Sequence, residues 1–223
     1  MNFEGLNKNK EEGESPKLER FDIEDEFAEY IPREFIDDPL GYFEERGANI
    51  KSGELKVDEE GRVREDPTAT KDLPVWENDE GEEIKTVAKR VNVIKSEVGK
   101  SGDPFYEYDV MRRVLEMGLP AARPIARVEQ GGTHLIVMER VSGFRWDSES
   151  ENYLRREGYT DEDIENIKRQ VEERMLELKS KFEEAGVERK WKVADMIFDI
   201  DIPNKKIIKI TPVDWERTKF LQQ

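Results

Sequence analysis

Apolar positions recur at helical spacing in some stretches of the chain and alternate with polar ones in others, and the switches between the two patterns fall at glycine and proline. Over residues 104–117, Tyr108, Met111 and Leu115 share one helical face, with Asp103 as cap, Pro104 in the first turn and Gly118 as terminator. A strand at 126–128, a turn at Gly131-Gly132 and a buried strand at 135–141 then form a hairpin that stops at Ser142-Gly143. Upstream, residues 74–76 and 84–91 read as two strands about the turn 78–81, residues 39–46 as a short helix, and residues 54–57 and 62–64 as a further hairpin. Downstream, a short helix at 147–156 precedes a long one opened by Thr160 with Asp161, Glu162 and Asp163 behind it. Its stripe is Ile164, Ile167, Val171, Met175, Leu178 and Phe182, and Gly186 stops it. Residues 197–202 and 206–213 pair about Pro203-Asn204 and lead into Val213-Asp214-Trp215-Glu216. The fold class is α+β.

Composition narrows the partners. Of the 223 residues 40% are charged and the net charge is −16, which argues against a nucleic-acid or anionic-membrane partner, since both need basic patches. The same charge repels a nucleotide at long range, so a nucleotide site has to be locally basic or rely on a divalent metal. There is no cysteine, hence no disulfide, thiol chemistry or cysteine-ligated zinc. No apolar run reaches membrane-spanning length and no signal-peptide pattern opens the chain, so a soluble cytoplasmic protein is expected. Residues 1–35 are acidic and poor in aliphatics; they read as a largely disordered tail, disordered at least through Lys17. Phe21, Ile23 and Phe27 could make that tail a partner-binding arm.

The series helix, strand, hairpin, strand, glycine, with Glu107 on the inward face four residues before Met111, resembles the small lobe of the protein-kinase-like superfamily, nearest to its aminoglycoside-phosphotransferase and RIO-type branches. The resemblance covers roughly residues 62–218. It implies a two-lobed fold: a five-stranded antiparallel small lobe with one helix at 36–141, and a reduced helical large lobe at 142–223 with the long helix and a metal-motif hairpin. It also implies roles. Lys89 in VAKRV stands where the phosphate lysine belongs, with Lys85 the runner-up; Glu107 holds that lysine; and the backbone from Glu139 to Val141 is the hinge that receives a base. The Gly-rich loop that should precede the lysine strand has no glycine across residues 66–72.

Beyond the long helix, Glu188 stands for the family's catalytic-loop histidine and Lys190 for its catalytic aspartate, while Asp195 and Asp214 stand for the two metal ligands. Asp195 and Asp214 remain oxygen donors for a cation such as Mg²⁺. An ammonium at position 190 has no lone pair to accept a proton, and losing a general base costs a factor of about 10² to 10⁴. Asp199 and Asp201 share the polar face of their strand and read as solvated. The family's activation segment and substrate-binding helices would follow Asp214, and this sequence runs only to Gln223. The implied function is a degenerate kinase-like protein, a pseudokinase that binds ATP or another nucleotide with Mg²⁺ and acts through partners. A minimal ATP-dependent phosphotransferase and an interaction module without nucleotide are the alternatives.

Overall fold

Two adjacent glycines at positive φ, Gly131 and Gly132, reverse the chain between the longest strands of the sheet, in a turn that L side chains rarely adopt. The computed structural model describes residues 17–49, 70–91, 103–146, 148–215 and 217–221. The expected hairpin at 54–64 and the expected disorder of the first residues fall outside that set. In chain order the elements are β1 (Leu18–Ile23), a 3₁₀ turn (Asp25–Tyr30), α1 (Arg33–Asp37), α2 (Pro39–Arg46), β2 (Ala48–Asn49), β3 (Thr70–Asp72), β4 (Trp76–Glu77), β5 (Glu83–Ile84) and β6 (Thr86–Val91). Then come α3 (Tyr106–Glu116), β7 (Pro124–Gln130), β8 (Thr133–Glu139), α4 (Ser148–Arg156), α5 (Asp161–Glu184), β9 (Val187–Glu188), β10 (Met196–Asp201), β11 (Lys206–Pro212) and β12 (Lys219–Phe220).

The main sheet is antiparallel in every pair and has six strands, ordered β1-β7-β8-β6-β3-β2. Five were expected. β1 adds an edge strand, pairing with β7 from a stretch that composition alone assigned to the acidic tail, and the strand expected at 74–76 lies outside the main sheet, in the two-stranded β4–β5 ladder. The tail expected through residue 35 is accordingly part of the fold from Leu18 onward, as strand, 3₁₀ turn and α1. Phe27 and Phe35 are buried, and Phe21 and Ile23 pack against the same cluster, so the aromatics expected to face a partner face the chain's own core. Thr70–Asp72, expected to be loop, is the strand beside β6, with Thr70 opposite Lys89. The connection from β2 to β3, residues 50–69, lies outside the described residues.

Alternation along β8 divides the core. Leu135 and Val137 join Phe27, Phe35, Phe43 and Trp76 on one face of the sheet, which α1 and α2 cover. Ile136 faces the other way, into a cluster shared by α3, the long helix and the β10–β11 hairpin. That second cluster runs without a break from Met111 on α3 to Phe182 and Trp215, so the sheet and the helical part share one core.

The long helix begins as its sequence predicts. Thr160 and Asp163 form a reciprocal capping box, and Ile164, Ile167, Val171, Leu178 and Phe182 are buried. Asp163 also accepts a hydrogen bond from Lys205 at 2.6 Å, which together with the Thr160 bonds holds its carboxyl down at about 2. The side chain of Gln170 clamps the hairpin turn, donating to the Lys205 carbonyl and accepting from the Ile207 N–H, each at 3.1 Å.

The chain crosses from sheet to helical part at Gly143. Phe144 exchanges both backbone hydrogen bonds with Phe198 of β10, at 3.1 and 2.9 Å. Gly143 itself lies so close that a Cβ would overlap the Phe198 carbonyl, and its φ is +115°. Clash and backbone strain add at this position. Gly143→Ala is therefore expected to lower unfolding free energy by about 2 kcal/mol or more. Denaturant titration reads this, and a loss within experimental error would show that the crossing is not tightly held.

Candidate functional site

The alternation of β6 turns Ala88 toward the outer cluster and Lys89 toward α3. There the Lys89 ammonium donates to both carboxylate oxygens of Glu107, at 2.6 and 2.8 Å. The side chains are 15% and 8% exposed, so this is a largely desolvated, two-pronged pair. Glu107 is carried into place by the first turn of α3, which starts where the Asp103 carboxylate accepts the Phe105 N–H at 2.8 Å. Its position near the helix N-terminus also favours an anion. Lys85 is exposed and lies outside the pair.

β8 leads from this pair into the expected hinge. The Glu139 N–H donates to the Arg123 carbonyl and the Arg140 N–H to the Lys85 carbonyl, both at 2.8 Å. Two of the three hinge donors thus serve the sheet. Among the described residues nothing accepts from the Val141 N–H, and Val141 is half-buried against the core that holds Phe144 and Phe198.

The four residues expected beyond the long helix sit on a small, separate scaffold. Glu188 lies in β9 opposite Lys219 of β12; it is exposed, as is Lys190 two residues on. Asp195 ends a short 3₁₀ turn, and its carbonyl accepts from the Val213 N–H at 2.8 Å, which brings the start of the VDW segment beside it. Asp214 is exposed with φ +66°, a left-handed conformation that aspartate tolerates better than most residues. The scaffold is tied to α3: the Tyr106 hydroxyl donates to the Thr218 carbonyl, and Arg113 lies 3.9 Å from the Phe220 ring. The residue before Glu107 therefore touches the segment that carries Asp214.

Sequence reasoning passed over the residue between Glu188 and Lys190. Arg189 stacks on Trp215 at 4.5 Å and lies over Trp191 at 5.3 Å, while Phe182 packs against both rings. Its Nη2 donates to the Val213 carbonyl at 3.1 Å, and its Nη1 is buried with no hydrogen-bond partner among the described residues. Burial lowers Arg189 to about 10, opposed by the charges of Asp195 and Asp214. It stays cationic at neutral pH. The clue in the sequence was the two tryptophans that follow it, at 191 and 215, which only the fold brings onto one arginine.

This arrangement bears on both expected ligands. A nucleotide phosphate would find the Lys89 ammonium, and a base would find the Val141 N–H. A divalent cation fits less well: Asp195 and Asp214 are oxygen donors, but the Arg189 guanidinium is fixed on the Val213 carbonyl next to Asp214.

Breaking a largely buried pair by removing one partner costs about 3 kcal/mol, because the remaining charge loses its counter-charge. Glu107→Gln and Lys89→Met are each expected to destabilise by about that much. The double variant should recover part of the loss in a double-mutant cycle read by denaturant unfolding. Additive losses would mean that the two side chains are not coupled.

No protein-family model matches the chain, and no curated protein matches it. Among solved structures, one of WaaP in complex with acyl carrier protein is similar at 17% sequence identity and a TM-score of 0.49, over 91% of this chain and 73% of that one. A likeness of that degree carries no argument about chemistry, which rests on the chain's own geometry.

Proposed function

We propose that this chain is a kinase-like protein with degenerate catalytic motifs, a pseudokinase that binds a nucleotide between the β6–α3 pair and the hinge and acts through partners. The observation that carries it is the two-pronged Lys89–Glu107 pair, joining the central strand β6 to α3, at the spacing expected of a phosphate lysine and its glutamate. The strand order supports the same family. β6 lies between β3 and β8, β8 continues into the hinge, and Gly143 hands the chain to a part built on a long helix and a hairpin ending in Asp214.

In this proposal Lys89 meets phosphate oxygens, Glu107 positions Lys89, and the Val141 backbone meets the base. The Glu139 N–H is already engaged. The positions taken by the family's base argue for binding without turnover. Lys190 offers donors only, and Glu188 projects from a two-residue strand opposite Lys219. A phosphotransferase would need an acceptor for the substrate proton at the family's base position, where Lys190 stands; the Glu188 carboxylate is an acceptor, but not at the position the family uses.

ATP or ADP at a hundred times its dissociation constant should stabilise the protein by about 2.7 kcal/mol, visible as a rise in melting temperature. Lys89→Ala should abolish the rise, and the protein should release no labelled phosphate from γ-labelled ATP. Absence of any nucleotide-induced rise in the unaltered protein would discard the nucleotide and leave an interaction module. Turnover would restore the phosphotransferase.

A further inference from the structure

We infer that Arg189 is a built-in cation that takes over the charge-balancing role of a divalent metal beside Asp195 and Asp214, so that any anionic ligand of this site is held without metal. This rests on the proposal above only in taking Asp195 and Asp214 as the family's metal positions. The rest is geometry.

Two requirements meet at Arg189. First, a chain of net charge −16 can hold a polyphosphate only where positive charge is concentrated. The β9–β12 ladder provides such a place. It sets Glu188 opposite Lys219, which leaves Lys190 and Arg217 at the same end of the ladder, with Lys192 just beyond. Those four cations are exposed, whereas Arg189 is held among aromatic rings.

Second, the guanidinium cannot simply turn aside to admit an ion. Trp215, which it stacks on, is buried and packs on Phe182 of the long helix, and the Val213 carbonyl takes a hydrogen bond from Nη2. The same Val213 donates its N–H to the Asp195 carbonyl. Arg189 is thus fastened to the backbone that positions both carboxylates. An incoming dication would meet a positive charge fixed on the carbonyl of the residue before Asp214. Swinging the arginine out would also forfeit its contacts with two tryptophans.

The same tryptophans provide the probe. Terbium(III), a hard cation of the oxygen-ligand class, emits when a nearby excited tryptophan transfers energy to it, and Trp215 directly follows Asp214 in sequence. The experiment titrates terbium alone, without nucleotide, into the unaltered protein, Asp214→Asn, Arg189→Met and Arg189→Lys. Methionine keeps an apolar chain against Trp215 and removes the charge; lysine keeps a charge. Emission that Asp214→Asn removes counts as site-bound, which sets aside ions held loosely by an acidic surface.

The unaltered protein and Arg189→Lys should show no site-bound emission. Arg189→Met should gain a saturable site at least tenfold tighter than any in the unaltered protein. Site-bound emission from the unaltered protein overturns the inference whether or not a variant folds, and so does a folded Arg189→Met that gains no site. If Arg189→Met does not fold, the unaltered protein decides through two arms. Absence of site-bound terbium, together with a nucleotide-induced rise in melting temperature that is the same in Mg²⁺ and in EDTA, sustains the inference; a rise that needs Mg²⁺ overturns it. No rise with any nucleotide in either condition counts against nucleotide binding, while the terbium result still decides the role of Arg189.

Discussion

The Lys89–Glu107 pair is the constraint on which the arrangement of this protein depends. Two opposite charges removed from water cost several kcal/mol each before they attract one another, so such a pair adds little net stability. Its value is positional. Lys89 sits between Thr70 and Ile136 in the middle of the sheet, and Glu107 sits in the first turn of the helix above, so satisfying the pair fixes how α3 rides on β6. A slip of one residue in β6 would turn Lys89 to the face that Phe35 and Trp76 occupy, away from Glu107. Fixing α3 also fixes Tyr106, and through its bond to Thr218 the strand that follows Asp214.

Charge is the second theme. With 53 acidic residues against 37 basic ones, the chain has to place its cations with care. Several basic side chains of the sheet are engaged by carboxylates: Lys89 by Glu107, Arg123 by Glu139, Arg127 by Asp22 and Asp109, and Arg140 by Asp72. Arg189 differs, because it is held by rings and a carbonyl while its carboxylates act on it only as charges. An arginine suits that role better than a lysine, since the planar guanidinium stacks on indole and is more weakly hydrated. Lys190 and Lys192, its neighbours on either side of Trp191, remain exposed.

Where periodicity or a local cap decides the structure, the sequence was legible. The long helix is an example: Thr160, Asp163 and the stripe from Ile164 to Phe182 act within a few residues of one another. The same holds for the Gly131-Gly132 hairpin and for the α3 face that carries Glu107, while the Lys89–Glu107 meeting was implied by the kinase-like resemblance rather than by any local pattern. Residues 18–35 were misjudged for the opposite reason. Their aromatics, Phe21, Phe27 and Phe35, are too irregularly spaced and too diluted by acids to suggest a core, and they form one only against a sheet built by residues far along the chain. Arg189 was missed because its surroundings, Trp191, Phe182, Val213 and Trp215, converge only in three dimensions.

The central claim is that a nucleotide base lies against the hinge that leaves β8. Photolabelling with 8-azido-ADP in EDTA, followed by peptide mapping, addresses it directly. The adduct should fall within residues 139–144 and disappear with excess ADP. An adduct that ADP does not displace, or one confined to the opposite face of the sheet around Phe27 and Trp76, would contradict it.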